Sequence, residues 1–140
     1  EIYMWYYNDE EFLESMIEDN YGFVYKITNL ANGKCYIGKK FFYSVIRKKV
    51  KNRKNRKIVK KQSNWKDYFG SNDLLKKDVE KYHKANFKRT ILRLCKTKGE
   101  CAYYEAKYQF ENDVLLTDGW YNGWIQCKIH QSHLKDNKDG

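Results

Sequence analysis

Two β-prone runs separated by an Asn-Gly pair constrain this chain more than any other feature. Residues 22–28 (GFVYKIT) and 34–38 (KCYIG) are rich in aromatic and β-branched side chains, which suit a pleated surface. Between them Asn32-Gly33 can supply the positive-φ residues of a tight turn, so the segment reads as a β-hairpin. The chain contains no Pro, no repeat and no Gly/Ser linker, and the other elements must be read from hydrophobic periodicity. Asn8 or Asp9 can cap a short helix over 9–18 with Phe12, Leu13, Met16 and Ile17 as its apolar stripe. A helix is expected after Gly38, carrying Phe41, Phe42, Val45 and Ile46. Ser71, Asn72 or Asp73 can cap another, in which Leu75, Val79 and Tyr82 recur at i, i+4 and i+7. Phe87 to Cys95 reads as a strand, and 100–112 as a final helix with Ala102, Ala106, Gln109 and Phe110 on its packing face. This order predicts an α+β fold, a small central antiparallel sheet flanked by helices.

With 140 residues the chain suits one domain, and its 41% hydrophobic content can fill a core. Residues 1–20 are expected to form an acidic arm or helix, 21–125 the main domain with an insertion at 47–61, and 126–140 a polar tail. No apolar run is long enough to span a bilayer, and the first nineteen residues carry seven acids and no Lys or Arg, unlike a signal peptide. A cytoplasmic protein without membrane contact is the expectation. Four cysteines without short metal-pair spacing fit reduced thiols. The Cys127, His130, His133 spacing hints at zinc but lacks a fourth ligand.

Charge is concentrated. Of 28 Lys+Arg against 18 Asp+Glu, ten basic residues and no acid fall within 47–61, so the whole net charge of +10 is local to that segment. Ten like charges cannot pack against one another and call for a polyanion, phosphate above all. The blander alternatives are a solvated face or a targeting tract.

The run Gly22-Phe23-Val24-Tyr25, followed after ten intervening residues by Tyr36-Ile37-Gly38, resembles the GIY-YIG nuclease family. The resemblance covers roughly 21–125 and is strongest to the phage-encoded, SegE-like branch related to homing endonucleases. It implies a DNA endonuclease dependent on Mg²⁺ or Mn²⁺, leaving 5′-phosphate and 3′-hydroxyl ends. In that scheme Tyr25, aided by Tyr36 or a lysine, takes a proton from the attacking water, and nearby positive charge must lower its phenol pKa from the ordinary value near 10. Arg47, on the helix expected after the second motif, would brace the charged phosphate, with Arg53 and Arg56 as alternatives. Lys39 and Lys40 would hold the scissile phosphate or favour a tyrosinate. Glu105 is the expected metal ligand, with Glu100 and Glu111 as competitors, and Asn122 would position a water or stabilise the cleft's loop. Several relatives carry a His one turn after the Arg, where Lys51 stands here; Tyr43 is a possible substitute. DNA contacts are expected from Lys39, Lys48, Lys49, Lys51, Arg53, Lys54, Arg56, Lys57, Lys60 and Lys61, with Trp65, Tyr68 and Phe69 able to stack on unpaired bases. The substrate would be duplex DNA, cut by a dimer or by successive nicks. The rival reading is a non-catalytic nucleic-acid-binding protein on a nuclease-like shell.

Overall fold

The structure, a computed structural model, describes residues 2–48, 57–126, 128, 131 and 134. Strands β1 (Trp5–Tyr7), β2 (Glu10–Glu11), β3 (Gly22–Asn29), β4 (Cys35–Phe41), β5 (Tyr43–Lys48), β6 (Lys57–Gln62) and β7 (Phe87–Cys95) accompany helices α1 (Asp73–Tyr82) and α2 (Lys98–Glu111). A five-stranded sheet runs in the order β2-β1-β7-β3-β4, while β5 and β6 form a separate two-stranded ribbon. The expected α+β class holds, and the sheet is mixed because β1 runs parallel to β7.

The hairpin is β3–β4, with Tyr25 opposite Gly38 and Ile27 opposite Tyr36. Its turn is longer than the two-residue form. Gly33 alone takes a positive φ, 77°, while the Asn32 side chain accepts a hydrogen bond from the Lys34 amide at 2.9 Å, an Asx turn. Helix α1 is capped by Asn72, whose side chain accepts from the Leu75 amide at 3.0 Å, and α2 by Thr97, which accepts from the Glu100 amide at 3.1 Å.

Of two further expected helices, the one over 9–18 is reduced to a 3-10 turn at Glu14–Met16 and the one after Gly38 is replaced by strand. Asn8 and Asp9 do not cap a helix; both take positive φ, 51° and 65°, and turn β1 back onto β2. The parallel edge of β7 supplies β1 with partners that a short isolated helix would lack. Phe12 and Ile17 still reach the core, whereas Leu13 is half exposed. After Gly38, β4 continues to Phe41, pairing as far as Gly22. The chain then enters the β5–β6 ribbon, where Val45 lies opposite Lys60 and Arg47 opposite Ile58. Beyond Ile46 the sequence offers no apolar stripe for a helix to bury, and β-branched Val45 and Ile46 suit a strand.

Alternation along the strands divides the core into two layers. Phe23, Tyr25, Ile27 and Ile91 face Trp5, Phe42, Trp65 and Leu75. Val24, Ile37 and Cys95 face the α2 side, against Cys101 and Val114. Within α2, Ala106 and Gln109 are buried as expected, but Phe110 is 55% exposed. The first layer also holds Arg89, 1% exposed. Its guanidinium donates to the carbonyls of Lys66, Tyr68 and Tyr3 at 2.9, 2.8 and 2.6 Å and lies 4.6 Å from the Trp5 ring centre and 4.2 Å from that of Phe69. Burial lowers its pKa to about 10, so it stays charged at neutral pH and pins the segment ending in Tyr68 onto β7.

Candidate active site

A cleft of about 380 Å³ opens beside β4, the edge strand, and takes in Tyr25, Tyr36, Lys40, Tyr68, Glu105 and Trp124. Because side chains alternate along a strand, Tyr36, Gly38 and Lys40 share one face of β4, while Lys39 belongs to the other. Tyr25 lies across from Gly38, and its ring folds over that glycine. A Cβ placed at Gly38 would meet the Tyr25 hydroxyl at 2.6 Å and Tyr36 Cε2 at 2.8 Å. The glycine of the second motif is therefore the floor on which the two phenols meet, their ring centres 6.2 Å apart.

Tyr25 is wholly buried, and its ring meets Tyr68 edge-on with centres 5.9 Å apart. Desolvation pushes its phenol well above the usual pKa, and the neighbouring Tyr68 and Tyr36, including a hydrogen bond with Tyr68, add to the shift. This reverses the expected lowering by positive charge: Tyr25 is a neutral phenol at rest. Tyr36 is half-buried and also shifted upward by burial, partly offset by a hydrogen bond with Ser71. Lys40 sits with Nζ 4.3 Å from the Tyr68 ring centre, and burial lowers its pKa.

From the other face Lys39 Nζ donates to Glu105 Oε1 at 3.0 Å. Glu105 extends from the middle of α2 into the cleft that the tyrosines line. Its competitors are placed elsewhere. Glu100 is buried at the start of α2, accepting from the Lys96 amide at 3.4 Å, and Glu111 pairs with Lys107 at 3.9 Å on the exposed side of the helix. Among the described residues no three His, Cys, Asp or Glu side chains cluster to hold a metal. A single carboxylate in a cleft also lined by Lys39 and Lys40 nevertheless has the chemistry to hold Mg²⁺, which keeps several waters and is held through one or two carboxylates plus substrate phosphates.

Asn122 lines the cleft and is bonded to its edge strand. Its Oδ1 accepts from the Ile37 amide at 3.1 Å and its Nδ2 donates to the Ile37 carbonyl at 2.9 Å, while Gln109 donates to that carbonyl at 2.9 Å. The amide thus braces the edge of β4. The preceding Tyr121 donates to Asp78 Oδ2 at 2.6 Å and accepts from Asn29 at 3.1 Å, its pKa pushed up to about 12 by burial and Asp78.

Trp65, expected as a stacking platform, is 3% exposed, with its ring edge-on to Phe42 at 5.2 Å. It is a core residue, and Phe69 is likewise buried. Arg47, expected on a helix, lies with Lys48 on β5, and Lys57 lies on β6; the cleft-lining cations among the described residues are Lys39 and Lys40. Lys60 and Lys61 are exposed on β6, and Lys60 Nζ is 4.1 Å from the ring centre of Tyr43, which lines the cleft with Ser44. Lys49, Lys51, Arg53, Lys54 and Arg56 lie outside the described residues, as do Cys127, His130 and His133. Cys35, Cys95 and Cys101 are free thiols. Sequence reasoning missed Ser71 and Trp124 at the cleft, and assigned Tyr68 to stacking alone. The available signal was the Tyr68-Phe69-Gly70-Ser71 run, which reads as a connecting segment, and connecting segments carry binding and catalytic residues disproportionately.

A family model described as "Putative endonuclease segE, GIY-YIG domain" matches residues 5–125. The protein of that name from Enterobacteria phage T4 is 32% identical over 103 residues, 73% of this chain. The chain spans 40% of that relative's length. No solved structure matches it. The paired tyrosine motifs, the edge-strand cleft and these matches agree, and the chain belongs to the SegE-type GIY-YIG endonuclease family.

Proposed function

We propose that this chain is a metal-dependent DNA endonuclease that hydrolyses phosphodiester bonds to 5′-phosphate and 3′-hydroxyl ends. The observation that carries the reading is the convergence of Tyr25 and Tyr36 from the hairpin, Lys40 from its edge and Glu105 from α2 on one cleft. Glu105 would hold one Mg²⁺ or Mn²⁺, which when bound polarises a phosphoryl oxygen and stabilises the departing 3′ oxygen.

The chain's own groups do the rest. Lys39 anchors the Glu105 carboxylate and adds positive charge near the phosphate. Tyr36 and Tyr25, held neutral by burial, orient the attacking water and the phosphate through their hydroxyls. The proposed proton acceptor is Lys40, which shares the cleft with both phenols and sits with Nζ against the Tyr68 ring; desolvation disfavours its charged form, and the phenols position the water against it. Lys60 and Lys61, exposed on β6, would extend positive charge from the cleft wall along a duplex, and the DNA contacts expected of Arg47, Lys48 and Lys57 are part of the same proposal. DNA contact by Lys49, Lys51, Arg53, Lys54 and Arg56 belongs to the same proposal. As a domain-sized unit, 21–125 would carry the chemistry, acting in a host cytoplasm, with one centre per chain and double-strand cutting by a dimer or successive nicks.

Incubation with supercoiled plasmid tests the reading. Nicking in Mg²⁺, its loss in EDTA and its loss in Glu105→Ala with DNA affinity retained are the expected results. The complete burial of Tyr25 favours the second reading, a nucleic-acid-binding shell without activity. Binding with no metal-dependent nicking would establish that alternative and overturn the first.

A further inference from the structure

The four tryptophans have different environments. Trp5 and Trp65 are 2% and 3% exposed, whereas Trp124 is 71% exposed and lies at the cleft alongside Tyr36, Lys40 and Glu105. Trp120 is half-buried, with the Lys26 ammonium 5.7 Å from its ring centre. What distinguishes Trp124 from the other exposed apolar side chains is its place at the candidate active site, where its ring is open to a ligand.

The chain just before Trp124 is anchored. The Tyr121 amide donates to the Cys35 carbonyl at 2.8 Å, the Tyr121 carbonyl accepts from Asn72 at 3.0 Å, and the Asn122 side chain is bonded twice to Ile37. Two residues beyond that anchorage, Trp124 is presented at the cleft from the braced edge of β4. Lys39 and Lys40 line the same cleft and would attract phosphate. Positive charge for the backbone next to a flat aromatic surface for a base is the pairing by which proteins hold an unpaired strand.

We propose that Trp124 stacks on a nucleobase next to the phosphate held in the cleft, making it a substrate-contacting residue that favours DNA in which a base can leave the helical stack. The proposal rests on the nucleic-acid substrate of the preceding section and adds the part of the substrate that this cleft contacts beyond the phosphate. Stacking tolerates any base, so it fixes the position of the strand without dictating sequence.

The test uses the full chain in EDTA, with two fifteen-nucleotide single strands as probes: oligothymidylate, and a strand of the same length built from abasic nucleotides. Wild-type protein should bind the thymidine strand about tenfold more tightly, within the range measured for base–aromatic stacking, and its tryptophan emission should be quenched on binding. Trp124→Ala should lose that preference while keeping its affinity for the abasic strand. Trp124→Phe should retain most of the preference but lose most of the quenching. Equal wild-type affinity for the two strands, or an undiminished preference in Trp124→Ala, overturns the proposal. Plasmid nicking in Mg²⁺, measured separately, reports on the endonuclease reading, so failure of one is distinguishable from failure of the other.

Discussion

Adding one methyl group at Gly38 probes the meeting of the two phenols. In Gly38→Ala the new Cβ would lie 2.6 Å from the Tyr25 hydroxyl oxygen, 2.8 Å from Tyr25 Cζ and 2.8 Å from Tyr36 Cε2, where ordinary contact begins at 3.4 Å. The Tyr25 hydroxyl must therefore move by about 0.8 Å, a small-to-large strain of the kind that costs about 1–3 kcal/mol. It has little room to do so, because the Tyr25 ring is walled by Trp5 at 5.4 Å and Phe23 at 6.0 Å, centre to centre. Thermal unfolding should show a fall in Tm of roughly 3–12 °C for a chain of this size. Single-turnover nicking should slow about 100-fold, because a displacement near 1 Å at a positioning group can remove that much. The double variant Gly38→Ala/Tyr25→Phe eliminates the nearest atom but leaves the two 2.8 Å contacts. It should recover part of the stability and none of the rate, a coupling read from the double-mutant cycle. If Gly38→Ala melts and cuts like the wild type, the two tyrosines do not converge over this glycine, and the description of the cleft is wrong.

Lys40→Met should flatten the pH–rate profile. A lysine acting as proton acceptor must be neutral, so the wild-type rate should rise with pH up to the lowered Lys40 pKa. Tyr25→Phe, by contrast, should reduce the rate by the same factor at every pH below the ordinary tyrosine range, because its phenol titrates well above it; a rising limb that moves with Tyr25→Phe would return the base role to the tyrosine. Arg89→Met should destabilise the fold by about 3 kcal/mol or more in urea unfolding. It strips the carbonyls of Lys66, Tyr68 and Tyr3 of their donor, at roughly 1–3 kcal/mol each when left unpaired, and a loss below 1 kcal/mol would mean that water replaces the guanidinium. Exchanging Lys60 and Lys61 for Gln should reduce the slope of log K against log salt by about 2 in duplex binding; an unchanged slope would show that β6 faces away from DNA.

What local pattern can specify was legible before any coordinates. The Asn-Gly hairpin and the Phe87–Cys95 strand were visible from turn chemistry and β-prone residues, α1 from its capping residues and apolar period, and α2 from its packing face. Each has neighbours within its own segment that select its conformation, and a resemblance built on the hairpin pointed to Tyr25, Tyr36 and Glu105. Where a segment's partner is distant, the same reasoning failed. Residues 9–18 fitted a capped helix, yet the edge of β7 takes β1 as a strand and β2 turns back onto it; the apolar spacing of Phe41, Phe42, Val45 and Ile46 fitted another, yet β6 pairs with β5. Apolar spacing alone cannot separate these outcomes, because the hydrogen-bond partner that decides between them lies many residues away. The environments of the site residues are tertiary for the same reason. That Trp65 is core and Trp124 is exposed, that Arg89 clamps the segment ending in Tyr68, that Asn122 braces β4 and that the Tyr25 phenol is held neutral all depend on what other parts of the chain place around them. Residue type and order determined which groups were available; burial and the charges brought near them decided what each can do.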